Sequence, residues 1–447
     1  VTLLDILPSL RAAMIPRLDP ALWPMTTHVD ELGRITVGGV ALADVADQFG
    51  TPTYVLDERD VRHRCRTYRE LFPEAEIAYA GKALLTRAVA TWVAGEGLSL
   101  DVCSAGELAV ALSAGVDPRR IILHGNVKTS ADLTASRAAG VGRIVIDSPT
   151  EIPMLAASCA HRQNVLLRVT PEVDARTHRA VTTGVADQKF GVPLAHGHAA
   201  DAAARILSQP RLNLIGLHCH LGSQITDPTH FATAIDRIIA AMADIRHDRG
   251  TILTELNIGG GHGIPYLAGD ACLDPTALAA AIEDGLDDAC ARHRFPRPRI
   301  TLEPGRAIVG RAGVTLYRVA SVKRIPGERV FVGVDGGMSD NPRIALYGAR
   351  YSVALASRHS IAPVERVTVA GRHCEAGDEL AVDVPLPRDV RPGDVLAVPV
   401  TGAYHHSMAA PYNAVGRPPV VAVADGAARE LIRRETVADL MGREVGV

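Results

Sequence analysis

The run "EIAYAGK" (residues 76–82) decides how the rest of the chain is read. It is a mostly apolar stretch of strand length that ends on a small-residue step and a lysine, and an Ala/Leu-rich stretch with helical spacing follows it. The pattern recurs in "LSLDVCS" (98–104), "RIILHGN" (120–126), "RIVIDS" (143–148), "NVLLRVTP" (164–171), "NLIGLHCH" (213–220), "ELNIGGG" (255–261) and "RITLEPGR" (299–306). Eight strand–helix units in series predict an α/β fold, a (β/α)8 barrel. The units share length and setting without forming a sequence repeat of the solenoid kind.

In such a barrel, side chains at the C-terminal ends of the strands leave the packed interior and meet at one mouth. Lys82, Asp101, His124, Asn126, Asp147, Arg168, His220, Gly259 to Gly261, Glu303 and Arg306 all fall at or just past strand ends. The lysine that closes the first strand is one of a ring.

Beyond the barrel the texture changes. From about residue 311, helical spacing gives way to strand-like runs such as "GVTLYRVASVKRI", "RVFVGVDGG", "ERVTVAGRHC", "DELAVDVPL" and "DVLAVPVTGAY", broken by Gly and Pro. Residues 34–56 hold similar pieces ahead of the barrel. The expected organisation is an N-terminal extension (1–33), a segment (34–75) packing with the C-terminal β domain, the barrel (76–310) and that mostly β domain (311–447).

Composition narrows the function. The chain of 447 residues is long enough for a large core, and its formal net charge of -3 comes from interspersed acids and bases. Neither a nucleic-acid-binding stripe nor a membrane-binding basic patch is expected, so small molecules are the expected partners. The seven cysteines are scattered, odd in number and without CxxC spacing, which argues against a disulfide framework or structural zinc and fits a reducing cytoplasm. The first twenty residues lack a signal-peptide core, and no run approaches the roughly 20 apolar residues of a membrane span.

The chemistry is read at the strand ends. In "NIGGGHG", glycines 259 to 261 let backbone N–H groups approach an anion, although a tight turn would use them equally well. "EPGR" follows the eighth strand, and the loops after strands 7 and 8 are where barrels often take phosphate. A phosphate, a lysine and an acid at one mouth suggest pyridoxal phosphate, which needs an amine, donors for its phosphate and an acidic partner for its ring nitrogen. Lys82 and Glu303 fill those roles. In "GLHCHLGSQ", His218 and His220 share a face by alternation, which raises a metal reading. No third ligand stands at suitable spacing and Cys219 faces away, so no metal is expected. His220 is read over the pyridine face, Ser223 on the phosphate, and His218 as a satisfied core histidine.

Taken together, "YAGKA", "LDVCSAGEL", "HGNVK", "TGVADQKFG", "GLHCHLGSQI", "LNIGGGHGIPY", "EPGR", "VDGGMSDNPRIALYGARY", "GRHCEAGD" and "GAYHHSMAAPYN" resemble the fold type III pyridoxal-phosphate decarboxylases, and within them the diaminopimelate decarboxylase branch. The motifs span roughly residues 35–440 in family order. The resemblance implies that Lys82 carries the cofactor, His220 stacks on its ring and Glu303 meets its nitrogen. Asp101, Ser223, Gly259, Gly260, Gly261, Gly305, Arg306 and Tyr404 complete the cofactor set. It further implies that Arg306, Arg343, Tyr347 and Tyr404 bind substrate, the first three at its far carboxylate, and that Glu375 takes its far ammonium. Cys374 becomes the proton donor to Cα, and Cys374 and Glu375 reach the site from the partner subunit of a homodimer. The activity implied is decarboxylation of meso-2,6-diaminopimelate at its D-centre to L-lysine and CO2, the last step of lysine biosynthesis.

A substrate with both charges at its far end suits this set, because arginine contacts a carboxylate bidentately and glutamate pairs with an ammonium. The departures from the family pattern are Val127, Thr129, His262, His405, His406 and Pro411, and they leave open a paralogous decarboxylase of another amino acid. An amino-acid racemase would need a second base opposite Lys82. A catalytically dead regulator should have lost Lys82 or Cys374, and both are present.

Overall fold

The computed structural model describes residues 18–173 and 188–446. The first 17 residues of the N-terminal extension and most of the stretch 176–190, which includes the start of "TGVADQKFG", lie outside the described residues.

One compact unit comprises Arg62–Ile264 and Ala271–Ile308. Its strands are β1 (Glu76–Ala80), β2 (Ser99–Val102), β3 (Ile121–Leu123), β4 (Arg143–Ile146), β5 (Gln163–Thr170), β6 (Leu212–His218), β7 (Glu255–Asn257) and β8 (Arg299–Leu302). Neighbours pair in parallel from β1 round to β8, and β8 returns to β1 through Thr301 opposite Glu76 and Leu302 opposite Ile77. The closed eight-stranded parallel barrel expected from the sequence is the observed fold. Both faces of these strands are covered, which is why they read as near-continuous apolar runs. Ala78, Ile122, Val145 and Leu166 pack together in the core.

A helix follows every strand: Arg87–Gly95, Ala105–Ser113, Ser130–Ala139, Glu151–Ser158, His198–Leu207, Thr229–Arg249, Pro275–Arg292 and the short Arg306–Val309. Local sequence starts several of them. Thr86 and Ser104 accept N-cap bonds from Val89 and Glu107, and Thr129 forms a reciprocal capping box with Asp132. Thr129, a departure from the family pattern, is therefore a helix cap.

Among the described residues, the second unit holds 18–61, Pro265–Asp270 and 309–446. Its main sheet contains β9 (Gly313–Arg324), β10 (Val330–Val334), β11 (Val364–Ala370), β12 (Glu379–Pro387), β13 (Val395–Pro399), β14 (Val420–Ala424) and β15 (Ala427–Ile432). The early strand Thr53–Asp57 is inserted between β9, antiparallel, and β14, parallel. The hairpin β14–β15 was missed in the sequence, although its Asp425-Gly426 turn is a standard hairpin signal. No helix among the described residues is long and apolar enough to cross a membrane.

Candidate active site

The barrel mouth is organised around Glu303, one residue past β8 and 6% exposed. A carboxylate at such depth must be paired or neutral. It is paired by three neighbouring strand ends. His124 Nε2 lies 2.8 Å from Oε1, Asn257 donates its Nδ2–H to Oε1 at 2.6 Å, and His218 Nε2 lies 3.3 Å from Oε2. Burial opposes ionisation of Glu303, but the charge of His124 beside it and the hydrogen bond from His218 outweigh it and hold the acid well below the usual carboxylate range. His124 is shifted upward, because Asp101 and Glu303 outweigh its own burial. Burial pushes His218 down to about 4, so a neutral ring donates to Glu303 through Nε2, and its Nδ1 has no hydrogen-bond partner. His218 is therefore not the satisfied core histidine that the sequence suggested. Its position as the last residue of β6 aims it at the acid.

The fold also supplies the third metal donor that sequence spacing left missing. One ligand atom each from His124, His218 and Glu303 lie within 4.8 Å of one another. The 2.8 Å from His124 to Glu303 is a hydrogen-bond length, whereas tetrahedral ligands with bonds of about 2.0 Å stand about 3.3 Å apart. At that spacing the two stand as an ion pair.

Around this acid, Lys82 follows β1 in a single 3-10 turn, Gly81–Ala83, and is exposed. Its charge acts on Asp101 and on His220. Asp101, in β2, is pushed up to about 6 by burial, with His124 pulling it down and Glu303 pushing it up. His220 is depressed well below the ordinary histidine value by burial and by Lys82. It is neutral, and its Nδ1 accepts from the Gly260 N–H at 3.3 Å, which leaves the ring proton on Nε2.

The glycine run differs in detail from the expected cradle. Gly259 N–H donates to Asn257 Oδ1 at 2.9 Å and Gly260 N–H to His220, so two of the three amides are used inside the protein. The glycines are needed chiefly for close approach. A Cβ on Gly260 would collide with the Glu303 carbonyl oxygen, and one on Gly261, at φ +94°, with that of Gly222. Arg306 donates to Ser223 Oγ at 3.0 Å, which puts a guanidinium and a hydroxyl together beside the run. Gly305 packs tightly against Ala80 and Ala83, so that a Cβ there would press on the turn that carries Lys82.

These residues fit pyridoxal phosphate. An ionised buried acid suits a protonated ring nitrogen, a neutral imidazole suits the ring face, and an Arg–Ser pair with side-chain-free backbone suits the phosphate.

In the second unit, Arg343 begins the short helix Arg343–Tyr347 and is buried among aromatic rings. It donates to the Tyr351 hydroxyl at 2.5 Å and lies 4.7 Å from the Tyr266 ring centroid and 6.0 Å from that of Tyr347. Cys374 and Glu375 are exposed on the loop between β11 and β12, where Tyr412 donates to Glu375 Oε2 at 2.9 Å. Tyr404 holds a left-handed φ of +62°.

Sequence reading gave no role to Asn257 or His124 as partners of Glu303, nor to His373, Asp378 and Asn413 around Cys374. Asn257 carried a usable signal: it is a polar residue inside an apolar strand and fully buried, so it must have partners.

Residues 58–310 match the family model described as "Pyridoxal-dependent decarboxylase, pyridoxal binding domain". The chain is 56% identical to the diaminopimelate decarboxylase of Actinosynnema pretiosum subsp. auranticum over 446 residues, covering 100% of each. It is 46% identical to that of Mycobacterium tuberculosis over 440 residues, covering 96% of this chain and 98% of the relative. Among solved structures, the diaminopimelate decarboxylase from M. jannaschii in co-complex with L-lysine superimposes with a TM-score of 0.89 at 31% identity, covering 95% of this chain and 99% of that one.

Proposed function

The chain belongs to the pyridoxal-dependent decarboxylases, in the diaminopimelate decarboxylase family, and from that premise we propose that it converts meso-2,6-diaminopimelate to L-lysine and CO2 as the last step of lysine biosynthesis. The observation that carries the reading is the buried, ionised Glu303 at the mouth where Lys82 also stands. An acid kept charged at that depth is suited to hold a cofactor ring nitrogen in its protonated form.

Pyridoxal 5'-phosphate is the cofactor, and when bound it accepts the electron pair left behind as the substrate carboxylate departs as CO2. The roles of the protein groups follow from their chemistry. Lys82 offers the amine that holds the cofactor, and neutral His220 supplies a flat, uncharged face. Ser223, Arg306 and the backbone near Gly261 bind the phosphate. Arg306, Arg343 and Tyr347 are assigned to the far carboxylate, with Tyr404 beside cofactor and substrate, as the family motif has them. Glu375 receives the far ammonium. Cys374 delivers the proton from its Sγ to Cα.

The exposure of Cys374 and Glu375 on their own loop supports a homodimer in which each subunit lends this pair to its partner. A proton donor to a carbanion has to work away from bulk water, which a partner surface would exclude. Seven cysteines, none of them bridged, support a reducing cytoplasmic setting.

The test is to load the purified protein with pyridoxal phosphate, add meso-diaminopimelate, and follow lysine and CO2 by mass spectrometry. Stoichiometric formation of both is expected. Cofactor binding with diaminopimelate left intact would favour a paralogous decarboxylase of another amino acid.

A further inference from the structure

The loop that carries Cys374 and Glu375 is fixed from inside. Between Gly371 and Asp378 only His373 and Asp378 are buried. The Asp378 carboxylate accepts from the backbone N–H groups of His373 at 2.8 Å and Met338 at 2.6 Å, so it closes the loop as a knot. The His373 ring then reaches out in both directions, with Nε2 2.8 Å from Ser339 Oγ and Nδ1 3.1 Å from Asn413 Oδ1.

The tautomer follows from a third bond. The backbone N–H of Cys374 faces the same Asn413 atom at 3.3 Å, and a backbone N–H can only donate, so that atom is the amide oxygen. His373 Nδ1 must therefore carry a proton and donate to it, while Nε2 pairs with the Ser339 hydroxyl. One amide oxygen thus ties together His373, the backbone of Cys374 and the segment that holds Tyr412. Asn413 sits at φ +52°, a left-handed conformation that asparagine tolerates better than most residues. Its neighbour Tyr412 donates to Glu375, with its ring 5.1 Å from that of His373.

We propose that His373, held between Ser339 and Asn413, is the positioning residue that aims Cys374, and that Tyr412 presents Glu375 to the far end of the substrate. This rests on the reading of Cys374 as proton donor and of Glu375 as ammonium ligand. His373 touches neither substrate nor cofactor in this account. It acts through the backbone of the residue that follows it.

The two halves predict different kinetics in the cofactor-loaded full-length enzyme. His373→Phe keeps the ring and loses both hydrogen bonds, and should lower kcat by roughly tenfold or more, as misplacement of a reacting group does. Its Kd for pyridoxal phosphate should stay unchanged. Tyr412→Phe should instead raise KM for meso-diaminopimelate several-fold with little change in kcat, the sign of lost uniform binding. Asn413→Asp, which keeps the acceptor oxygen, should retain far more activity than Asn413→Leu. That pair of variants carries the same test if His373→Phe fails to fold. Wild-type kcat in His373→Phe, alongside a slow Cys374→Ala enzyme, would overturn the positioning role alone. A fall in cofactor affinity in step with kcat would also overturn it, because His373 would then be supporting the fold at large. Wild-type kcat in Cys374→Ala would instead remove the reading on which the proposal stands.

Discussion

His262 shows what one buried residue does to the pH response of the whole protein. Its ring lies on that of Tyr68 with centroids 5.5 Å apart and planes 7° from parallel, and its Nδ1 is 2.7 Å from the Tyr68 hydroxyl. Phe231 meets it edge-on, so this departure from the family pattern is absorbed in packing. Burial pushes the imidazole down to about 3, whereas in the unfolded chain it titrates near 6.5. Below about 6.5 the unfolded state therefore binds a proton that the folded state refuses, and stability falls as the pH drops through this window towards 3. The slope is at most about 1.4 kcal/mol per pH unit for one such group. His262→Phe removes that group and keeps an aromatic ring, so its melting temperature should fall less than that of the wild type between pH 7 and pH 5. Parallel curves for the two proteins would show that His262 does not resist protonation in the fold.

At the level of elements, the glycine run is where three strand ends are allowed to meet. Gly260 lies against the carbonyl of Glu303 and Gly261 against that of Gly222, so this stretch fixes how close the ends of β6, β7 and β8 come. Gly260→Ala should push Glu303 and its loop away and weaken cofactor binding at least tenfold, about 1.4 kcal/mol, measured by fluorescence titration with pyridoxal phosphate. An unchanged Kd would mean that the loops part without disturbing the site. The run was visible in the sequence, but its use was not. Glycine marks a place without a side chain, and only the neighbouring backbone says whether an anion or another loop fills it. β14 shows the reverse, since its short apolar run and Asp-Gly turn were legible signals that the density of Gly and Pro around them obscured.

Across the whole molecule, the end of the barrel opposite the mouth is closed by charge. Arg143, at the start of β4, pairs with Glu76 at 2.7 Å and with Glu255 at 2.7 Å, and Arg299 joins both acids from the start of β8. Removing the central cation leaves two largely buried carboxylates with a half-exposed arginine between them. Arg143→Met should therefore destabilise the barrel by about 3–5 kcal/mol, the cost of breaking a buried pair from one side, seen as a lower denaturant midpoint. The proposed dimer makes a separate prediction. Lys82→Ala and Cys374→Ala should each be inactive or slow alone, but mixing them under subunit exchange should restore about one quarter of wild-type activity, because half the dimers are mixed and each has one intact site. No recovery on mixing would mean that each loop serves its own barrel.

The sequence by itself determined the eight strand–helix units, the ring of residues at their ends and the family to which the motifs belong. These are matters of local periodicity and of which residue types close each strand, and both are written within a few residues of one another. Only the tertiary structure decided that Glu303 is ionised, that His124, His218 and Asn257 surround it, and that His373 and Asn413 brace the loop of Cys374. A charge state depends on burial and on distances through space, and the groups that set it here come from β3, β6, β7 and β8, far apart in the chain and adjacent only once the barrel has closed.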